Sequence, residues 1–236
     1  MTAASSEARQ PLLVTIDGPA GVGKSSVARA LAKRLGAAFL DTGAMYRAAA
    51  ALALEAGVDL NDGDAVARLL QEADLRFDFA KDPPELLAHG RSVTHRLRDP
   101  DVSQAVSPVS ALPQVRQVLV ALQRKIASQQ RRLVSEGRDQ GSIVFPQADV
   151  KIYLDATAAE RARRRAAQLR SAGRDVDVEA VEAAIRQRDQ RDTTRPVGPL
   201  IKPPDAVVLD TTGLRFEETI DQLEAIVRRQ QAGRRT

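Results

Sequence analysis

The sequence of 236 residues contains no cysteine and no tryptophan, and aromatic residues make up only 3% of it. The absence of cysteine excludes a disulfide framework, a thiolate metal site and a thiol nucleophile. The scarcity of aromatic rings leaves the core to aliphatic side chains and disfavours a base-stacking platform for single-stranded nucleic acid. A chain without cysteine also fits a reducing compartment, where disulfides are rare.

Long apolar runs are missing as well. No run approaches the roughly 20 residues of a transmembrane helix, and residues 1–10 lack the hydrophobic segment of a signal peptide. We therefore expect a cytoplasmic protein without a membrane partner, in which residues 1–10 form a disordered tail. His89 and His95 have no metal-ligand partners at suitable spacing. The net charge of +4 can attract anions but does not by itself indicate a nucleic-acid partner.

The strongest positive signal is Gly18–Ser25, which has the spacing Gly, four residues, Gly-Lys-Ser between a strand-like run and a helix-forming run. Such a loop presents backbone N–H groups and a helix N-terminus to phosphates. Lys24 can reach the β- and γ-phosphates, and the Ser25 hydroxyl can bind Mg²⁺. The structural alternative, a glycine-rich turn with an exposed lysine, does not require the four fixed residues together. The predicted ATP-binding residues are Gly18, Pro19, Ala20, Gly21, Val22, Gly23, Lys24, Ser25 and Ser26.

Apolar strand-like segments alternate with helical segments along most of the chain. This alternation predicts an α/β fold with a parallel sheet and helices on both faces. The predicted strands are 12–16, 37–40, 132–135, 150–154 and 206–209, and the predicted helices are 25–35, 44–56, 113–126, 158–171, 178–189 and 216–228.

Residues 58–103 break this alternation. A short helix after Asn61 is followed by a strand at 75–79 and a hairpin partner at Leu86. We interpret the stretch as a subdomain inserted into one domain, residues 11–236. The core of that domain would consist of residues 11–57 and 104–236.

Two polar clusters follow predicted strands, at Asp41–Arg47 and at Glu136–Asp139. The carboxyl ends of parallel strands meet at the edge where open α/β sheets bind ligands. Arg47 and Arg138 could therefore hold a phosphate of a second substrate, and Asp139 could address a base or the magnesium shell. A solvated Arg47 and a structural ion pair at Arg138 are the alternatives.

Two further segments are rich in arginine. Arg188–Arg195 surrounds a predicted helix end and precedes a rigid stretch containing Pro196 and Pro199. Arg161–Arg165 forms a basic stripe that suits a lid, about 160–176, closing over a triphosphate. Solvated charged surfaces are the alternative for both segments.

Five motifs in this order resemble the bacterial cytidylate kinase family. The resemblance extends from about Leu13 to Val227. It implies a P-loop nucleoside monophosphate kinase fold with an inserted acceptor-binding subdomain and an arginine-bearing lid. It also implies a monomeric transferase of pyrimidine nucleotide metabolism that uses Mg²⁺ and ATP to phosphorylate CMP and dCMP. The motifs are Gly18–Ser25, Leu40–Arg47, Val106–Arg116, Glu136–Asp139 and Arg188–Arg195.

The resemblance also implies roles for individual residues. Thr42, Arg47 and Arg138 would hold the acceptor phosphate; Arg116, Asp139 and Arg195 would surround cytosine; Ser107, Arg188 and Asp192 would address the pentose. The implied catalytic residues are Lys24, Arg47, Arg138 and Arg164, with Ser25 on the metal. The sequence departs from the family pattern at Gln140, Ser142 and Thr193.

Cytosine chemistry agrees with this set. An aspartate can accept from the N4 amino group of cytosine while arginines donate to its ring acceptors. Uracil reverses this pattern, and the mismatch would cost about 1–3 kcal/mol. A kinase of another small molecule and a nucleic-acid-stimulated P-loop ATPase are the alternative functions.

Overall fold

The computed structural model describes residues 10–171 and 173–233, so the predicted tail lies outside the described residues except for Gln10. The strands are β1 (Leu12–Asp17), β2 (Ala38–Asp41), β3 (Arg76–Asp78), β4 (Glu85–Ala88), β5 (Arg91–Ser92), β6 (Arg132–Glu136), β7 (Val150–Asp155) and β8 (Val207–Asp210). The helices are α1 (Lys24–Leu35), α2 (Thr42–Glu55), α3 (Gly63–Glu72), α4 (Pro100–Val109), α5 (Pro113–Ser128), α6 (Ala158–Ser171), α7 (Val178–Thr194) and α8 (Phe216–Gly233). A π-helical turn spans Gln140–Val144.

The main sheet of the described chain has five parallel strands in the order β2-β6-β1-β7-β8. This confirms the predicted parallel sheet. Strand β6 lies between β2 and β1, with Glu136 in register with both Asp41 and Ile16. The carboxyl ends of these three strands therefore lie side by side.

Buried apolar clusters cover both faces of this sheet. On one face, Ile152 packs with Leu31 of α1 and Leu223 of α8. On the other face, Leu133 packs with Leu119 of α5 and with residues of α2 and α4. Aliphatic side chains dominate both clusters, as the scarcity of aromatics predicts.

The inserted stretch contains the predicted helix, α3, and the predicted hairpin, β3 with β4. The short strand β5 extends this antiparallel sheet and was not predicted. Leu70 and Leu86 belong to the same buried cluster as residues of α2 and α5. The insertion thus packs directly on the helices that follow β2 and precede β6.

Helix α4 was not predicted. Its buried residues Val102, Ala105 and Val109 belong to the cluster that contains the alanines of α2. The proposed boundary of the insertion at residue 103 falls inside this helix.

Two helices continue well beyond their expected ends, α7 to Thr194 and α8 to Gly233. Asp192 is therefore helical, as Arg188 was expected to be. Gly57 and Gly173 follow α2 and α6 with positive φ values of 65° and 76°, as expected for residues that end helices. Of the described helices, none has the length and apolar character that a membrane crossing requires.

Gly18 allows β1 to approach β7 where the sheet ends. Its φ is 152°, and a Cβ atom there would lie 2.2 Å from the backbone oxygen of Leu154. We predict that Gly18→Ala lowers the free energy of unfolding by at least about 1–3 kcal/mol, because the backbone must shift. Urea denaturation measures this change. Gly213→Ala is the control, since a Cβ there meets nothing within 4 Å; equal effects of the two substitutions would contradict the prediction.

Candidate functional site

The loop between β1 and α1 has the form expected of a phosphate-binding loop. Gly21 and Gly23 have φ values of 78° and 91°, which residues other than glycine rarely adopt. Helix α1 begins at Lys24, directly after Gly23. The N-terminus of α1 therefore faces the loop and favours negative charge there.

Lys24 is almost completely buried at 5% exposure, and its Nζ atom donates to the backbone oxygen of Pro19 at 2.8 Å. Burial, together with the positive charge of Arg138, lowers the pKa of Lys24 to about 7. A buried ammonium group without a strong anionic partner is unfavourable. A triphosphate on the loop would supply that partner.

Glu136 belongs to the predicted polar cluster Glu136–Asp139, but its sequence position alone did not indicate a role for it. Its buried carboxylate accepts a hydrogen bond of 2.7 Å from the Ser25 hydroxyl. Burial, with the nearby carboxylate of Asp41, raises the pKa of Glu136. Its position at the end of β6, between β1 and β2, is the signal that could have identified it.

The group formed by Ser25, Asp41 and Glu136 offers oxygen ligands of the kind that Mg²⁺ prefers. The Ser25 hydroxyl could bind a cation together with the Glu136 carboxylate. Such a cation would relieve the repulsion between the carboxylates of Asp41 and Glu136, which helps to raise the pKa of Glu136. No cluster of three or more histidine, aspartate or glutamate side chains suited to a metal occurs among the described residues. A metal here would therefore depend on substrate phosphates as well.

Three residues predicted to hold a phosphate lie on neighbouring elements. The Thr42 hydroxyl donates to the backbone oxygen of Glu136 at 2.7 Å. Arg47 donates to the oxygen of Leu97 at 3.4 Å, and Arg138 donates through Nε to Asp192 at 2.9 Å. Burial lowers the pKa of Arg47, and the like charges of nearby arginines, Arg138 among them, add to the effect. An anion between these arginines would relieve their repulsion.

Helix α7 brings Arg188 and Asp192 to the same group. Burial, together with the positive charge of Arg138, lowers the pKa of Arg188 to about 10. The Nε atom of Arg188 is buried and has no hydrogen-bond partner in the part of the chain that the structure describes. An anionic or polar ligand could accept a hydrogen bond from this donor.

The predicted base site centres on a buried pair, Arg116 and Asp139, whose side chains are 4% and 3% exposed. The Arg116 guanidinium lies 5.7 Å from the centre of the Tyr46 ring. Two guanidinium nitrogens of Arg116 and the Tyr46 hydroxyl are buried and lack partners among the described residues. Burial raises the pKa of Tyr46 to about 12, so its hydroxyl stays neutral.

Gln140 connects this pair to the sheet. Its side chain accepts a hydrogen bond from the Ser135 hydroxyl at 2.8 Å and donates to Gln123 at 3.3 Å, while its backbone N–H donates to Asp17 at 2.8 Å. A glutamine is tolerated where the family pattern expects an apolar residue because buried polar partners surround it.

The lid arginines occupy different environments. Arg164 donates to Glu160 at 2.7 Å and to the backbone oxygen of Thr211 at 2.6 Å, so its contacts do not join it to the acceptor-side arginines. The charge of Arg165, rather than that of Arg164, acts on Arg47. Glu160, one turn earlier in α6, pairs with the Arg164 side chain, and the catalytic role of Arg164 stays a prediction.

The remaining predicted residues lie on α1, on α4 and directly after α7. Arg195 follows α7 and donates through Nε to the backbone oxygen of Gly198. Ser107 is half-buried on α4, and Ser26 is exposed in the first turn of α1.

The sequence of the chain is similar to proteins named cytidylate kinase. The family model described as cytidylate kinase matches residues 14–229. Cytidylate kinase of Carboxydothermus hydrogenoformans is 47% identical over 216 residues, which is 92% of this chain and 97% of the relative. Cytidylate kinase of Nocardia farcinica is 49% identical over 220 residues, 93% of this chain and 95% of the relative.

The fold is similar to that of a solved kinase. A gluconokinase from Sinorhizobium meliloti matches with a TM-score of 0.50 at 15% identity, with 94% of each chain covered. This likeness concerns the fold alone.

The lowered pKa of Lys24 predicts how stability depends on pH. Between pH 7 and 10.5, Lys24 is protonated in the unfolded chain but not in the folded chain. The loss of folding stability that this lysine causes is therefore greatest below pH 7, and it disappears as the pH rises through this range. We predict that the gain in unfolding free energy from Lys24→Met shrinks by about 1–3 kcal/mol between pH 7 and 9. Urea denaturation at both values measures it.

Lys202→Met is the control for this experiment, because Lys202 is exposed. Its stability difference from the unmodified protein should not change with pH. If the difference in unfolding free energy between Lys24→Met and the unmodified protein is also independent of pH, Lys24 is not a buried ammonium group that destabilises the folded state.

Proposed function

The chain belongs to the cytidylate kinase family, and on that premise we propose that it transfers the γ-phosphoryl group of ATP to CMP and dCMP. Phosphoryl transfer has a loose transition state that depends on positioning and on neutralisation of charge. The site supplies these two requirements through its loop, its buried lysine and its arginines. The products are ADP with CDP or dCDP.

We assign the donor to the loop Gly18–Ser25. Its backbone N–H groups and the N-terminus of α1 favour the phosphates of ATP, and Lys24 would gain the anionic partner that its burial demands. Ser25 would hold Mg²⁺, with Glu136 and Asp41 in reach of the same ion. When bound, the ion neutralises phosphate charge.

The acceptor phosphate is assigned to Thr42, Arg47 and Arg138. The lowered pKa of Arg47 and the repulsion that it shares with Arg138 support this assignment, because a phosphate placed between them removes the repulsion. Lys24 senses the charge of Arg138, so the two ends of the reaction are electrostatically linked. The arginines would hold the attacking phosphate oxygen on the side of the site that faces the donor.

The pyrimidine is assigned to the pocket of Arg116, Asp139 and Arg195, and the pentose to Ser107, Arg188 and Asp192. The proposal depends most on the buried pair Arg116–Asp139, which leaves two guanidinium nitrogens unsatisfied. Cytosine would accept from these donors while its amino group donates to Asp139. Uracil would present a carbonyl oxygen to the carboxylate and leave a desolvated mismatch.

Other expectations remain predictions. They are the monomeric state, the cytoplasmic location, the lid at about 160–176 and the catalytic role of Arg164.

An acceptor panel tests the proposed specificity. With ATP as donor, we predict that CMP and dCMP are phosphorylated with kcat/KM at least about tenfold above that for UMP, and that AMP is poor. Asp139→Asn should lower kcat/KM for CMP by about 100-fold or more, because it removes the carboxylate and leaves Arg116 unpaired. A coupled assay of ADP production measures both quantities.

Asp64→Asn is the control for Asp139→Asn, since Asp64 is exposed on α3. It should keep the kinetics of the unmodified enzyme. AMP turnover above CMP turnover would overturn the proposed substrate, and an unaffected Asp139→Asn variant would overturn the assignment of the base pocket.

A further inference from the structure

The backbone of Ala20 in the phosphate-binding loop is held by two side chains of α6 and α7. Its N–H donates to Asp189 Oδ1 at 3.2 Å, and its carbonyl oxygen accepts from Arg161 Nη1 at 2.9 Å. The same Nη1 atom lies 2.6 Å from Asp189 Oδ2. Both backbone polar groups of one residue, Ala20, are thus fixed by an ion pair that comes from outside the loop.

This ion pair is largely sheltered from water. The side chains of Arg161 and Asp189 are 7% and 20% exposed, and Arg161 Nε also donates to the backbone oxygen of Ala156 at 2.9 Å. Charge-assisted hydrogen bonds in such surroundings are stronger and more directional than those at a surface. Arg161, a residue of the predicted lid, is therefore held against the loop.

Asp189 also stands in a distinctive place on α7. Three residues later on the same helix, Asp192 accepts from Arg138, which we assign to the acceptor phosphate. Within about one turn of α7, Asp189 therefore binds the phosphate-binding loop and Asp192 binds the acceptor-side Arg138.

We propose that Asp189 is a positioning residue that, with Arg161, holds Ala20 so that the loop is preformed for the triphosphate. The pair acts on backbone geometry and needs no contact with the nucleotide. The inference rests on the proposed function in taking ATP as the ligand. Preorganisation of this kind lowers the cost of ordering the loop on binding.

Calorimetry of ATP binding without an acceptor tests the proposal in the full-length protein. Asp189→Asn keeps an acceptor for the Ala20 N–H but removes the charge facing Arg161, and we expect about a tenfold rise in the Kd for ATP. Asp189→Ala should raise the Kd further. In turnover assays the KM for ATP should rise and kcat should fall, while the KM for CMP stays within about twofold of its original value.

Glu182→Gln is the matched control, because Glu182 lies on the same helix and pairs with Arg186 at the surface. It should bind ATP like the unmodified protein. A second variant, Arg161→Lys, should also weaken ATP binding, and its effect should not add to that of Asp189→Asn if both act through Ala20. Thermal unfolding of each variant identifies any loss of folded protein.

Equal ATP affinity of Asp189→Asn and Glu182→Gln would overturn the proposal, as would full additivity with Arg161→Lys. Because calorimetry uses ATP alone, the result does not depend on CMP as the acceptor. Failure of CMP phosphorylation in the unmodified enzyme would instead refute the proposed function.

Discussion

Strand β6 lies between β1 and β2, and its carboxyl end therefore meets both the phosphate-binding loop and the start of α2. Glu136 ends the strand. Its carboxylate accepts a hydrogen bond from Ser25 on one side, and the carboxylate of Asp41 on the other side raises its pKa. Arg138 and Asp139 follow after Gly137 and pair with Asp192 and Arg116, respectively. The rest of the site depends on this strand order, since a slip of β6 would separate the two nucleotide positions.

Burial of charged side chains in the site also has an electrostatic cost. Burial lowers the pKa of Lys24, Arg47 and Arg188 and raises that of Glu136, so in each case it opposes the charged form. Perturbations of this kind are typical of functional sites, where the ligand supplies the missing compensation. Phosphates and a divalent cation would provide opposite charge to all four groups. Stability of the free protein is thus lower than a core of the same size would allow.

Much of the architecture could be predicted from the sequence because local patterns and the sheet agree. Apolar strands alternating with helices determine the parallel sheet, and the spacing from Gly18 to Ser25 identifies the loop. Helix α4 escaped prediction because Pro108 and the serines beside it resemble a loop, whereas burial of Val102 and Val109 against α2 stabilises the helix. The contact of Arg161 with the backbone of the phosphate-binding loop could not be predicted either. A stripe of arginines has no local signal that separates a residue held on the loop backbone from one free to meet phosphate.

In the proposed function, one edge of the sheet holds two nucleotides with their phosphates facing each other. A bisubstrate compound in which adenosine and cytidine are joined 5′-to-5′ by five phosphates tests this most directly. Because both halves would bind at once, we predict a Kd at least about 100-fold below that of ATP. We also predict much weaker binding of the uridine counterpart. A cytidine compound that binds no more tightly than ATP would contradict this arrangement of the two nucleotides.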